Sequence, residues 1–108
     1  MWGSPISRAN SATSPNKAFQ ALDEQALVDA IPSDVNCLMV HGHPLTMPAL
    51  HGVLQSRRIP LCLFGHDHFA HGAHKFAHTL GINAAILGKR FQPVQLPVVY
   101  DARLKSEV

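Results

Sequence analysis

Apolar and polar positions change their period several times along this chain. Phe19, Leu22, Ala26, Leu27, Ala30 and Ile31 recur at helical spacing, and Pro32 ends the run. Either Ser14, ahead of Pro15, or Asp23 can start that helix. Residues 36–40 follow as an apolar block with the length of a buried strand. Helical spacing returns from Pro48 to Arg58, with Met47, Leu50, Val53 and Leu54 on the inner face. Arg57 and Arg58 suit the C-terminal end of its dipole. Gly52 lowers the helical preference there by about 1 kcal/mol relative to alanine. Ile59-Pro60 closes the helix, and residues 61–64 form a second strand-length block. Strand, helix and strand in this order predict a parallel crossover unit. Beyond it, residues 73–78, 82–87 and 97–101 pattern as strands, with turns at Gly81 and from Gly88 to Pro93. Residues 1–16 read as coil and residues 102–108 as a fraying tail. The pattern predicts an α/β protein with a partly parallel sheet and crossover helices.

Composition narrows the class. A chain of 108 residues makes one small domain or a part of a larger one. Net charge is only +2, and the basic residues are scattered apart from the pairs Arg57-Arg58 and Lys89-Arg90. That distribution is not a nucleic-acid footprint. No apolar stretch approaches bilayer-spanning length, and residues 1–20 contain no signal-peptide core. The expected setting is the cytoplasm, with Cys37 and Cys62 as buried, reduced thiols. Were their strands adjacent and parallel, the two thiols could also lie close together.

All eight histidines fall between His41 and His78. The two strand blocks run directly into His41-Gly42-His43-Pro44 and Gly65-His66-Asp67-His68. Such a layout delivers imidazoles to one rim of a sheet, and neutral imidazole is a ligand for Zn, Fe, Mn, Co and Ni. His41, His66 and His68 are the metal-ligand candidates. His43 can bind metal, orient a neighbour or face a phosphate. A lone histidine beside glycine in a turn is commonly a hydrogen-bonding loop residue; two motifs at matching strand ends change that balance. His71, His74 and His78 form a competing set, with spacings of three and four that would align on a helix and could hold zinc. Gly72 and the β-like run after it argue against a helix there. There is no Gly-rich phosphate loop, no CxxC and no nucleophile elbow.

At these residues the chain resembles the C-terminal half of the calcineurin-like metallophosphoesterases, of the metallophosphoesterase-domain type. Trp2-Gly3-Ser4-Pro5 is similar to the family's WGSP segment. Val40-His41-Gly42-His43-Pro44 resembles its HGxP motif, and Phe64-Gly65-His66-Asp67-His68 its FGHxH motif. Ile82-Asn83-Ala84-Ala85 is similar to VNAS, and residues 92–101 to the QPxxxPxxxxD ending. The resemblance implies a four-layer α/β/β/α sandwich, of which this chain is the C-terminal half, with two divalent ions (Mn, Fe or Zn) at the strand ends. It further implies that His41 and His66 bind one ion and His68 the other, that His43 lies near the substrate phosphate, and that phosphomonoesters or phosphodiesters are hydrolysed.

The family's first half supplies DxH, GD and GNH motifs, and none of the three occurs here. Asp67 is the only carboxylate between Val35 and Tyr100, and Phe69 stands where family members commonly carry Glu. Three ligands of a larger set predict a partial domain, inactive alone, whose uncovered sheet needs the missing N-terminal half or a partner chain. Met1 immediately before the WGSP-like segment fits a start inside a longer reading frame. Two other readings stay open: a degenerate, non-catalytic binding module of the same fold, and a small histidine-rich metal binder.

Overall fold

The structure, a computed structural model, describes residues 1–8, 20–21, 24–76 and 78–101. Its centre is a five-stranded mixed sheet. In chain order the strands are β1 (Trp2–Ser4), β2 (Ser7–Arg8), β3 (Gln20–Ala21), β4 (Cys37–Val40), β5 (Leu61–Phe64), β6 (Gly72–Phe76) and β7 (Thr79–Asn83). The sheet runs β1-β4-β5-β7-β6; β2 and β3 pair separately, in parallel. The first four strands of the sheet are parallel, and β6 returns antiparallel to β7. Helix α1 (Gln25–Ala30) precedes β4, and α2 (Pro48–Ser56) connects β4 to β5, as a parallel crossover requires.

The helices end where their sequences dictate. Ile31 adopts φ −71° and ψ 119°, the extended conformation imposed on a residue before proline. Pro48 occupies the first turn of α2, where its missing N–H is not needed. Arg58 has φ 51°, and the Ile59 N–H donates back to the Leu54 carbonyl at 3.3 Å, a left-handed helix stop. The Arg57 guanidinium does more than complement a dipole. It donates to the carbonyls of Ile31 and Pro32 at 3.0 and 3.2 Å, tying the end of α1 to the end of α2.

Alternation along the strands places both helices on one face. Leu38, Val40, Cys62, Phe64 and Phe76 pack with Leu27, Val28 and Ile31 of α1 and its cap and with Leu50, Val53 and Leu54 of α2. Met39, between Leu38 and Val40, is 45% exposed on the other face. Leu61, Leu63 and Leu80 are only half-buried there. Cys37 pairs with Leu61 and Cys62 with Leu38, so the strands are adjacent and parallel but the cysteines are one residue out of step. Cys62 joins the core while Cys37 faces the other side, and both thiols are free. Burial, and then the neighbouring Cys37, push the Cys62 thiol up to about 12.

Several expectations need correction. Residues 2–4 are not coil: Trp2, Gly3 and Ser4 pair with Leu38, Met39 and Val40. The segment has no apolar run of its own; the open edge of β4 makes it a strand. Ser7 and Arg8, also read as coil, form β2, and Gln20 and Ala21 form β3, so the first helix does not run from Ser14; it begins at Gln25, close to the later start at Asp23. Residues 9–19, 22–23 and 102–108 lie outside the described residues. Gly81 is no turn. It sits in the middle of β7, which begins three residues ahead of the predicted 82–87 block and ends at Asn83. A Cβ there would lie 2.3 Å from the Phe76 ring and 3.1 Å from the Phe64 ring. Glycine therefore serves ring packing, not reversal. Residues 97–101 are not a strand, and nothing from 84 to 101 has regular structure. Its backbone is instead held by Gln95, whose Nε2 donates to the Ala85 and Leu87 carbonyls.

Gly81→Ala forces two buried rings apart and should lower unfolding free energy by about 1–3 kcal/mol in urea denaturation. Gly52 in α2 has no atom within 4 Å of an added Cβ. Gly52→Ala should therefore raise stability by up to about 1 kcal/mol in the same assay.

Candidate functional site

Parallel pairing carries β4 and β5 to the same end of the sheet, and each strand releases its histidine motif there. The Gly65 N–H donates to the His41 carbonyl at 2.9 Å, continuing the ladder one step past the strands. His66 follows with φ 68°, a left-handed conformation that costs a non-glycine residue about 1–2 kcal/mol. Across this junction His41 Nε2 lies 3.2 Å from His66 Nδ1, with ring centroids 5.0 Å apart and planes at 66°. One nitrogen of the pair donates and the other accepts, so one proton is shared between two rings.

His43 is a different kind of histidine. It is 6% exposed, packed against Phe64 at 4.6 Å between centroids, with His74 at 5.7 Å and Phe76 at 5.8 Å. Its Nδ1 accepts the Leu45 N–H at 3.1 Å, at the start of a single 3-10 turn over Pro44–Thr46. An accepting Nδ1 assigns the neutral ring's proton to Nε2. His43 therefore offers a donor, while its Nδ1 lone pair is already engaged.

Asp67 is shaped by its own turn. Its Oδ1 accepts the Phe69 N–H at 3.0 Å, and its N–H donates to the Gly65 carbonyl at 2.8 Å. His68 is half-buried and meets the Phe91 ring edge-on at 5.0 Å. His43, Thr46, His66, Asp67 and His68 line an open cleft of about 440 Å³, with Phe69 and Phe91 completing its wall. Both phenylalanines are more than 70% exposed, at 73% and 72%, so the cleft has an apolar mouth. Lys89 Nζ lies 5.7 Å above the Phe69 ring.

His41 and His66 are thus in direct contact, and His43, His66 and His68 share one cleft. Among the described residues, no three His, Cys, Asp or Glu side chains are grouped closely enough to hold a metal ion. The competing set is not aligned as a helix would align it. His74 lies in β6 with Nε2 2.6 Å from the Ala70 carbonyl, His71 reaches the Leu96 carbonyl at 2.8 Å, and His78 is exposed beyond the strand. His51 of α2 is half-buried with its ring 6.0 Å from that of Phe76.

The contacts of two residues, Asn83 of the VNAS-like segment and Phe91, were not expected from the sequence. Asn83 is wholly buried at the end of β7 and bonds to the Asp67 carbonyl; the available signal was an amide closing an apolar run. Phe91 was hidden inside a segment read only as a turn. Among the described residues no helix is long and apolar enough to cross a membrane. No family profile, curated protein or solved structure matches this chain.

Burial, and then the charge of His66, hold His41 below the ordinary imidazole range. His43 is also held down by burial, which with His74 outweighs the upward pull of Asp67. The folded protein thus prefers both rings neutral, whereas the unfolded chain takes up protons near about pH 6.5. Stability should be full above that pH and fall as pH drops below it. The urea midpoint, followed from pH 7.5 to 5, should show this slope. His41→Asn should flatten it by removing one of the two depressed groups.

Proposed function

We propose that this chain carries the histidine half of a metal-dependent phosphoesterase centre. His41 and His66 share one divalent ion, His68 serves a second, and His43 faces the substrate phosphate. The observation that supports this best is the 3.2 Å separation of His41 Nε2 and His66 Nδ1. Two metal–nitrogen bonds of about 2.0–2.1 Å at a tetrahedral angle put their nitrogens about 3.3 Å apart. The pair therefore fits one ion with little movement, and burial favours the neutral form of His41 that ligation needs. Bound there, Mn, Fe or Zn would supply Lewis-acid stabilisation of charge on a phosphate ester. The protein's own contribution is clearer at His43. Its Nε2–H is a neutral donor held by packing and by the Leu45 N–H, suited to a phosphate oxygen in the cleft.

The remaining donors of a two-ion centre, carboxylates above all, would come from an N-terminal half of a four-layer sandwich or from a partner chain. The partly exposed sheet face left by the described residues supports this. Parallel strands are normally buried on both sides, yet Met39, Leu61, Leu63 and Leu80 are left partly open. In this reading the chain is a partial domain, slow or inactive alone, and cytoplasmic, where its two free cysteines stay reduced. A second reading, a non-catalytic binding module of the same fold, draws on Asp67. The cleft's carboxylate has one oxygen committed to the Phe69 N–H.

Calorimetric titration with zinc and manganese tests the proposal. His41→Ala and His66→Ala should each weaken binding by more than about 100-fold, beyond what loss of a supporting residue does. The triple variant His71→Ala, His74→Ala, His78→Ala should bind as the wild type does. Equal binding by wild type and a His41→Ala, His66→Ala double variant sinks the reading. Hydrolysis of a phosphodiester and a phosphomonoester by the metal-loaded chain then separates the catalytic reading from the binding-module reading.

A further inference from the structure

The geometry points to Asn83 as the positioning residue of the histidine site. Asn83 closes β7 opposite Phe64, the last residue of β5, at the level where the loop bearing His66 and His68 begins. It is fully buried, at 0% exposure. A buried amide requires partners for both its donor and its acceptor. Its Nδ2 donates to the Asp67 carbonyl at 2.8 Å, and its Oδ1 accepts the Ala85 N–H at 3.0 Å. Asp67 is the residue between the two loop histidines, so the amide grips the motif at its middle. The Ala84 N–H donates to the Phe64 carbonyl at 2.8 Å and anchors the backbone beside it.

The left-handed backbone at His66 persists only while its surroundings over-determine it. Within the loop, Asp67 N–H donates to the Gly65 carbonyl, Phe69 N–H to Asp67 Oδ1 and Ala70 N–H to the Asp67 carbonyl; from outside it come the Gly65 N–H bond to the His41 carbonyl and Asn83 Nδ2 on the Asp67 carbonyl. Of the two outside bonds, only the last comes from a side chain. An ionised aspartate would lack the donor, and leucine of similar size would lack both groups. Asn83 therefore fixes where the His66 ring sits relative to His41 without itself touching a ligand. The consequence for metal rests on the phosphoesterase reading; the positioning does not.

The test uses the whole 108-residue chain. In metal-free wild type, the Asn83 side-chain amide protons should be protected from exchange, and long-range proton–nitrogen spectra should show one protonated and one bare nitrogen in the His41–His66 pair. In Asn83→Leu those imidazole signals should move to the averaged values of free histidine. The core methyls of Leu38 and Leu54 should keep their shifts, which a general loss of structure would not allow. Zinc affinity should fall by about 10–100-fold. Asn83→Ala provides the same readout should the leucine variant fail to fold. Freely exchanging Asn83 amide protons in the wild type, or unchanged imidazole signals in a folded variant, overturns the inference. Shifted imidazoles in a protein whose wild type binds no zinc would sustain the positioning role and remove the metal reading.

Discussion

Parallel hydrogen bonding between β4 and β5, in the register that sets Leu38 opposite Cys62, brings two strand ends to the same edge of the sheet. A one-residue slip would turn Leu38 and Val40 away from the helices and separate His41 from His66. Core and site therefore depend on the same ladder. Its last step, Gly65 N–H on the His41 carbonyl, belongs to both.

The helix-facing core is held by shape at a few points. Phe64 and Phe76 fit over β7 because residue 81 has no side chain to meet them. Thr79, buried at the start of that strand, donates its hydroxyl to the Ile59 carbonyl at 2.6 Å and joins β7 to the end of the crossover. The Arg57 guanidinium links the two helix ends across the same face. Among the described residues the other face of the sheet has no comparable set of helices, and its leucines are half-buried.

Within the site, similar side chains take different roles from their surroundings. His41 and His66 face each other at the open rim and share a proton. His43, two residues after His41, is enclosed by Phe64, His74 and Phe76 and has its tautomer assigned by a backbone N–H. Asp67 lies between two ligand candidates, yet its carboxylate caps its own turn and its carbonyl is held by Asn83. Neither composition nor spacing distinguishes these roles. The distribution of neighbouring donors does.

The strand blocks at residues 36–40 and 61–64, the crossover helix between them and a histidine motif directly after each strand are written in local pattern. They need only apolar period, proline stops and strand length. The resemblance to phosphoesterase motifs adds an expectation about chemistry. Pairing decided the rest. Trp2–Ser4 became a strand because β4 had a free edge. Gly81 became a packing site because two rings from other strands converge on it. Cys37 and Cys62 were parted by a one-residue offset, and Asn83 met Asp67 only because β7 lies beside β5. Local propensity reports on neighbours a few residues away, whereas the pairing of Trp2 with Leu38, of Phe64 with the space over Gly81 and of Asn83 with Asp67 joins residues 16 to 36 positions apart. Their geometry exists only once the sheet has closed.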